Sequence, residues 1–299
     1  ADEGAIEGRR VGVAEVGGER GHGLRALGDA RQCDVPSGLT GVIQVEAGGQ
    51  HTVALKGDGT VVCWGYNAQG QCDVPAGLVG VTQVAAGNAH TVALKGDGTV
   101  VCWGYNASGQ STTPAGLTGV TQIAAGNAHT VVLKTDGTLV LWGANYSGQC
   151  DVPAGLASVV QVAAGGDHNV ALKGDGTIVC WGANYASQCD APVGLTGVTQ
   201  VSAGDAHSVA LRSDGTVVCW GNNTLGQATT PAGLTGVTQI AAGGLHTASL
   251  KGDGTLVCWG HNFYRQCDNP VAVTHVVQVS AGLSHTAAAL APGLLPSRT

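Results

Sequence analysis

Six tryptophans, at 64, 103, 142, 181, 220 and 259, stand 39 residues apart without exception. Histidines in an Ala-Gly-x-x-His frame, at 51, 90, 129, 168, 207, 246 and 285, keep the same interval, as do prolines at 36, 75, 114, 153, 192, 231 and 270. Three series in one register mean a chain built of stacked copies of a single supersecondary unit. Complete units run 41–79, 80–118, 119–157, 158–196, 197–235 and 236–274, and a seventh starts at His275 and stops short.

Each unit reads Val-Thr-Gln-Val-Ala-Ala-Gly, His-Thr-Val-Ala-Leu-Lys, Gly-Asp-Gly, Thr-Val-Val-Cys-Trp-Gly, then a Gly- and Pro-rich descent. Short β-branched runs on either side of an Asp-Gly turn signal a β-hairpin. No stretch carries helical periodicity. Three to four short strands per ~40 residues fit a propeller blade. A parallel β-helix, the competing architecture, has shorter coils and no tight antiparallel hairpin. The expectation is an all-β, seven-bladed β-propeller of 39-residue repeats.

After His285 the hairpin turn position holds Pro292-Gly293, and Pro296 stops the return strand, so the last blade lacks its outer part. The N-terminal segment can supply it. In gap-free register residues 11–40 align with the hairpin and descent, and Gln32 to Pro36 match well. Residues 11–31 match poorly: Arg25 stands at the Trp position, Gly12 at the His position, and five of the eight arginines lie at or before Arg31. The expected division is a degenerate or disordered segment at 1–31, a propeller domain at 32–290 and a tail at 291–299.

Composition narrows the function. Charged residues are 11% against 43% apolar, and the net charge is −7 with no basic run. A nucleic-acid partner needs clustered Lys and Arg, so none is expected. No apolar run approaches the ~18 residues of a membrane span, and residues 1–10 carry no apolar signal core. Nucleophile elbow, phosphate loop, Cys-x-x-Cys and paired-carboxylate motifs are all missing, so no catalytic residue and no cofactor is expected. Seven histidines in a ring cannot converge on one tetrahedral ion, and are expected to hydrogen-bond rather than hold metal.

The segments Trp-Gly-x-Asn-x-x-Gly-Gln and Ala-Gly-x-x-His-[Thr/Ser/Asn]-x-[Ala/Ser]-Leu, as at Trp64–Gln71 and Ala86–Leu94, resemble the regulator of chromosome condensation repeat family. The resemblance covers residues 32 to about 290. With its short unit and Val-Pro after Gly-Gln, the chain looks most like the bacterial propellers that inhibit class A β-lactamases. The constant 39 leaves no room for the inserted wedge of the Ran exchange factor, and the Gly-Trp-Arg-His-Thr segments of the plant UV-B photoreceptor are replaced by Gly126-Asn127-Ala128-His129-Thr130 and its equivalents. Fold transfers across such a family more readily than function.

A hairpin that descends along His51–Lys56 and climbs along 60–64 places the segments before His51 and after Trp64 at one end, with the Asp-Gly turns and their Lys or Arg at the other. All six non-Trp aromatics, Tyr66, Tyr105, Tyr146, Tyr185, Phe263 and Tyr264, fall two to five residues after a repeat Trp. A framework role would keep one offset, whereas variable aromatics on the loops of one rim have the composition of a protein-binding patch. In the lactamase-inhibiting propellers that the chain resembles, the loop before the His position also lines the binding face, which adds Asp167, Asp205 and Leu245, with His261 beside Phe263. That first loop carries no aromatic here. Asp34, Asp73, Asp151, Asp190 and Asp268 give the rim an acidic cast that steers a basic partner. They are equally suited to capping the local turns, and Asn67 and its equivalents are expected to be turn formers.

Cysteine occupies two repeat positions, before the Trp (Cys63, Cys102, Cys180, Cys219, Cys258) and after the Gln (Cys33, Cys72, Cys150, Cys189, Cys267). Spacing 30 yields four pairs, 33 with 63, 72 with 102, 150 with 180 and 189 with 219, and a joint absence at Ser111 and Leu141. Spacing 9 yields three, 63 with 72, 180 with 189 and 258 with 267. The expectation is four inter-blade disulfides, with Cys258 and Cys267 left to pair or stay free, which would place the protein outside the reducing cytosol, extracellular or periplasmic, as a mature or trimmed chain. The functional expectation is a non-catalytic, monomeric propeller that binds a protein through its aromatic rim, with β-lactamase inhibition, glycan binding or a structural scaffold as alternatives.

Overall fold

The computed structural model describes residues 13–16, 32–268 and 276–290. Seven three-stranded antiparallel sheets follow one another along the chain. Blade 1 consists of Val42–Ala47, His51–Lys56 and Val61–Gly65. Blades 2 to 6 repeat it at 81–104, 120–143, 159–182, 198–221 and 237–260. The middle strand is buried along its whole length up to its final Lys or Arg, because both of its faces are covered. Its apolar side chains meet the next blade: Val53 and Leu55 pack with Val81, Val84, Ala93 and Trp103. The Asp-Gly turn is held by Asp58, whose carboxylate accepts from the Thr60 amide, and by Gly59 at φ +79°, where a Cβ would be strained.

Blade 7 joins the two ends of the chain. Val276–Ala281 and Thr286–Leu290 receive Val13–Val16 as their outer strand, with Val13 opposite Ala289 and Val16 opposite Thr286. The N-terminus closes the ring as the sequence suggests, in a different register. The gap-free repeat would set Arg25 opposite Thr286, as Trp64 is opposite Thr52, and the structure uses Val16 instead. The Val-Ala-Glu-Val run has strand character, whereas the 22–26 stretch carries Gly23 and Arg25. The rest of the 1–31 segment and the 291–299 tail lie outside the described residues.

Two rings of hydrogen bonds tie the blades together. At the innermost strands each repeat Gln clasps the backbone of the following blade, as Gln44 does with Val84 N–H and C=O at 3.0 Å each. The same clasp runs on to Gln278, which accepts from Val45 N–H at 2.6 Å and donates to Val45 C=O at 2.8 Å, completing the circle. Further out, the Nε2 of each repeat His meets the next blade's residue after its own His: His51 with Thr91 (3.0 Å), His129 with Asn169 (2.9 Å), His168 with Ser208 (2.9 Å), and finally His285 with Thr52 (3.0 Å). Thr52 Oγ1 itself donates to Gln32 C=O, which also accepts from Trp64 Nε1. The threonine oxygen therefore turns a lone pair to the histidine, and Nε2 must carry the proton. The expected hydrogen-bonding role of the histidines is seen here.

Candidate functional site

The two loop sets expected to share one end do so. Tyr66 N–H donates to Gln50 C=O, and the tie recurs from Ala183 to Asp167 and from His261 to Leu245. The loops before the histidines are bound to one another around the channel mouth, Gly49 N–H to Gly87 C=O through to Leu283 N–H to Gly48 C=O. They have little freedom to vary in length, which accounts for their small residues. The Asn positions are turn formers as read: Asn67 accepts from Cys72 N–H and donates to Asp73 at 2.7 Å. Asp151, Asp190 and Asp268 are held in the same way by Asn145, Asn184 and Asn262, so these carboxylates staple their loops while remaining at the surface.

The aromatics are not equivalent. Tyr66 and Tyr264 are half-buried and Tyr105 is 39% exposed, whereas Tyr146, Tyr185 and Phe263 reach 91%, 75% and 80%. Those three stand on blades 3, 4 and 6, each four residues after its Trp, and Leu225, 45% exposed, stands one residue further along the same loop of blade 5, at the position Tyr264 holds on blade 6. An apolar arc thus crosses four consecutive blades. At its far end His261, Phe263 and Tyr264 form one ring cluster, Phe263 edge-on to Tyr264 at 5.2 Å between centroids. Reading aromatics alone missed Leu225. Its signal was a large apolar residue at a position held by Gln69, Ser108, Ser147 and Ala186 on blades 1 to 4.

Inside the arc lie two carboxylates. Asp205 accepts from Asn127 Nδ2 at 3.0 Å, and Asp167 from Gln149 Nε2 at 3.2 Å. Burial raises the Asp205 pKa, with Asp167 adding repulsion. The Tyr185 phenol, also raised by desolvation and then by Asp205 and Asp167, stands beside the pair. Leu245 contributes its carbonyl to this framework. Charge divides sharply between the two ends. On the opposite face Lys56, Lys95, Lys134, Lys173, Arg212 and Lys251 each pair with the Asp two residues on, at 2.9 to 3.5 Å. Among the described residues Arg265 is the one cation at the rim.

The axial channel, about 270 Å³, opens within this face. Its inner wall is Ala or Ser at one level of every blade except blade 1, where Glu46 stands. Glu46 accepts from Gln44 Nε2 at 2.9 Å and from Ser280 Oγ at 3.1 Å, and desolvation pushes its pKa up to about 7. Sequence reading passed it over, although it is a lone acid at a position otherwise held by small residues. Among the described residues no three His, Cys, Asp or Glu gather as a metal would require, and no helix is long and apolar enough to cross a membrane.

The cysteines contradict the spacing-30 pairing. No disulfide is formed among the described residues, and the thiols brought together are those nine apart. Cys63 Sγ lies 2.9 Å from Cys72 Sγ, and Cys180 with Cys189 and Cys258 with Cys267 occupy the same two positions of their own blades. Cys102 and Cys219 instead meet Thr113 and Thr230 of their own descending segments, and Cys150 meets Ala144 C=O, so the bonds 72 with 102, 150 with 180 and 189 with 219 are not made; nor is 33 with 63. The reason is geometric: Cys63 stands in the outer strand Val61–Gly65 of a blade, and the loop after that strand returns Cys72 to the same blade.

Six stretches, 42–71, 81–110, 120–149, 159–188, 198–227 and 237–266, match the regulator of chromosome condensation (RCC1) repeat. The chain belongs to the RCC1 repeat family. Among solved RCC1-type propellers it is similar to Prp20p from Saccharomyces cerevisiae, a structure described with its binding to Gsp1p and histones (TM-score 0.74, 19% identity, 85% of this chain and 83% of that one). Yeast RCC1 (Prp20) bound to Kap60 gives TM-score 0.72 at 19% identity over 85% and 81%. Human WBSCR16 gives 0.71 at 18% identity over 96% and 100%. No curated protein matches by sequence. The expected extracellular or periplasmic location is thereby corrected. It rested on inter-blade disulfides that the structure does not form, and these RCC1-type structures are described with Gsp1p, histones and Kap60, none as a secreted protein.

Proposed function

We propose that this RCC1 repeat propeller is a non-catalytic binding protein whose partner presents a basic surface to the acidic, aromatic-studded end. The observation that carries the reading is the arc of Tyr146, Tyr185, Leu225 and Phe263 on four consecutive blades, enclosing Asp167 and Asp205. Exposed aromatics on a rigid support lose little conformational freedom on contact, so a small number of them can dominate an interface. The carboxylates add steering and orientation more than affinity. Prp20p, a propeller of the same repeat type, is described as binding histones, which are basic proteins. The proposed partner here shares that charge, not that identity.

The test is parallel capture from lysate with the wild type, a variant with Tyr146, Tyr185, Phe263 and Tyr264 changed to Ala, and a variant with Lys95, Lys134 and Lys173 changed to Ala on the far face. A protein retained by the wild type and the lysine variant, and lost by the aromatic variant, supports the rim. Equal retention by all three, or retention by none, refutes it. Glycan-array binding or inhibition of a class A β-lactamase would redirect the assignment to another ligand.

A further inference from the structure

Three loops of the rim are flanked by cysteines that the fold brings into contact. The loop carrying Tyr66 lies between Cys63 and Cys72, that carrying Tyr185 between Cys180 and Cys189, and that carrying His261, Phe263 and Tyr264 between Cys258 and Cys267. Cys63 Sγ and Cys72 Sγ lie 2.9 Å apart, and Cys180 with Cys189 and Cys258 with Cys267 occupy the same two positions of their own blades, on either side of a loop of the same length. The loops after Trp103, Trp142 and Trp220 have one cysteine each, with Ser111, Leu141 and Ala228 at the other position. Chain register thus separates three dithiol loops from three single-thiol loops within one molecule.

We propose that these three pairs are oxidisable dithiols that close intra-blade disulfides and so brace the aromatic loops of the rim. In two of the pairs the thiols are inequivalent. Cys189 and Cys267 have pKa values lowered by the hydrogen bond from their partners, whereas Cys180 and Cys258 are raised. Cys189 and Cys267 are therefore the attacking thiolates. With a small-molecule disulfide of the glutathione class as oxidant, Cys189 S⁻ attacks one sulfur, forms a mixed disulfide and expels a thiolate. Cys180, its proton given up to water, then attacks Cys189 sulfur and expels the second. The protein loses two protons and two electrons per bond, and the oxidant is reduced to two thiols. Each bond shortens the free loop between the end of an outer strand and its return, which restricts the backbone that presents the aromatics.

The significance of the bond for binding rests on the reading of the rim given above; the bond itself does not, and the test separates the two. Purified protein is incubated with oxidised glutathione, trapped by alkylation and peptide-mapped without reduction, beside a variant in which Cys72, Cys189 and Cys267 are Ser. That variant is expected to fold, because Ser111 already occupies the equivalent place and hydrogen-bonds Trp103 and Tyr105 carbonyls. The expected result is a loss of about 2 Da per bond, with cross-links 63 to 72, 180 to 189 and 258 to 267, while Cys102, Cys150 and Cys219 remain alkylated. Hydrogen exchange should slow in 64–71, 181–188 and 259–266 of the wild type and stay unchanged in 103–110 and throughout the variant. Full alkylation of folded protein, cross-links thirty residues apart, or stable glutathione adducts in place of internal bonds would each overturn the proposal. If the cross-links form and the aromatic variant still captures the same partner, the rim reading fails and the dithiol reading stands.

Discussion

Mild acidification should unfold this protein through its ring of histidines. All seven ring histidines are fully buried. Each donates from Nε2 to a neighbour that has no other use for that lone pair, and each leaves Nδ1 without a partner among the described residues. A second proton would have to sit on that bare Nδ1, out of water and beside the next histidine. Desolvation therefore depresses the pKa values from 6.5 to about 3 or 4 at His51, His90, His168, His207, His246 and His285, and lowers His129 as well. A depressed histidine contributes stability that is complete above the unfolded pKa of 6.5 and is lost as pH falls toward the folded value. At pH 5.5 each unfolded imidazole gains about 1.4 kcal/mol from protonation, so the six with folded values of about 3 or 4 contribute about 8 kcal/mol against the native state, and His129 acts in the same direction. Glu46 works in the opposite direction, because its raised pKa lets the native state take up one proton early, which returns about 2 kcal/mol. Net stability should fall by about 6 kcal/mol between pH 7 and 5.5, and by about 7 kcal/mol for each further unit. Since domains commonly hold about 5–15 kcal/mol in total, the acid midpoint belongs between about pH 4.5 and 6. Urea titrations followed by Trp fluorescence at pH 7.5, 6.5, 6.0 and 5.5 measure this directly. A urea midpoint that is the same at pH 5.5 and 7.5, or a slope worth one or two protons, would refute the argument.

Other consequences are simpler to reach. Glu46→Gln should stabilise the protein at pH 8 by about 3 kcal/mol, with the difference vanishing near pH 4, since the charge is what its channel site disfavours; chemical denaturation at the two pH values checks it. Gly126→Ala would drive a methyl into the His129 ring and the Gly165 carbonyl, and should cost about 3 kcal/mol, seen as a lowered Tm in calorimetry. Deleting residues 1–20 removes the outer strand of blade 7 and bares the edge of Thr286–Leu290, so light scattering should show association that the full chain lacks. The effect should be accentuated by the thin seam to blade 1, where, among the described residues, Val45 and Ala47 share their buried cluster with Ala287 and Ala289.

The 39-residue period was enough to place every strand of blades 1 to 6, because each structural residue returns at a fixed offset and the same contact returns with it. Trp64 donates to Gln32 C=O and Trp259 to Gln227 C=O, one bond repeated around the ring. Where the repeat decays, periodicity stops being a guide: the closing strand is Val13–Val16, nine residues upstream of the extrapolated position, since local strand propensity outweighed register. The cysteines show a different limit. Co-occurrence at spacing 30 also arises when units are copied with their cysteines, and it carries no distance. The separation of Cys63 from Cys72 depends on how tightly Asn67 folds the intervening loop, which is a tertiary fact.

Departures from the repeat are therefore the informative positions, provided they are sorted by where the fold points them. Glu46 departs into the channel, where an unshared acid perturbs stability and its own ionisation. Val16 departs at the closing strand and serves topology. Tyr146, Tyr185, Leu225 and Phe263 depart outward, on one arc, at loops whose backbone is fixed by Asn145, Asn184, Asn223 and Asn262. A side chain that contributes nothing to the blade beneath it, yet is held rigidly in water, is a standing cost in exposed apolar surface. Four such residues on consecutive blades, with carboxylates inside the arc and the lysines confined to the opposite face, are best accounted for by a partner that covers them.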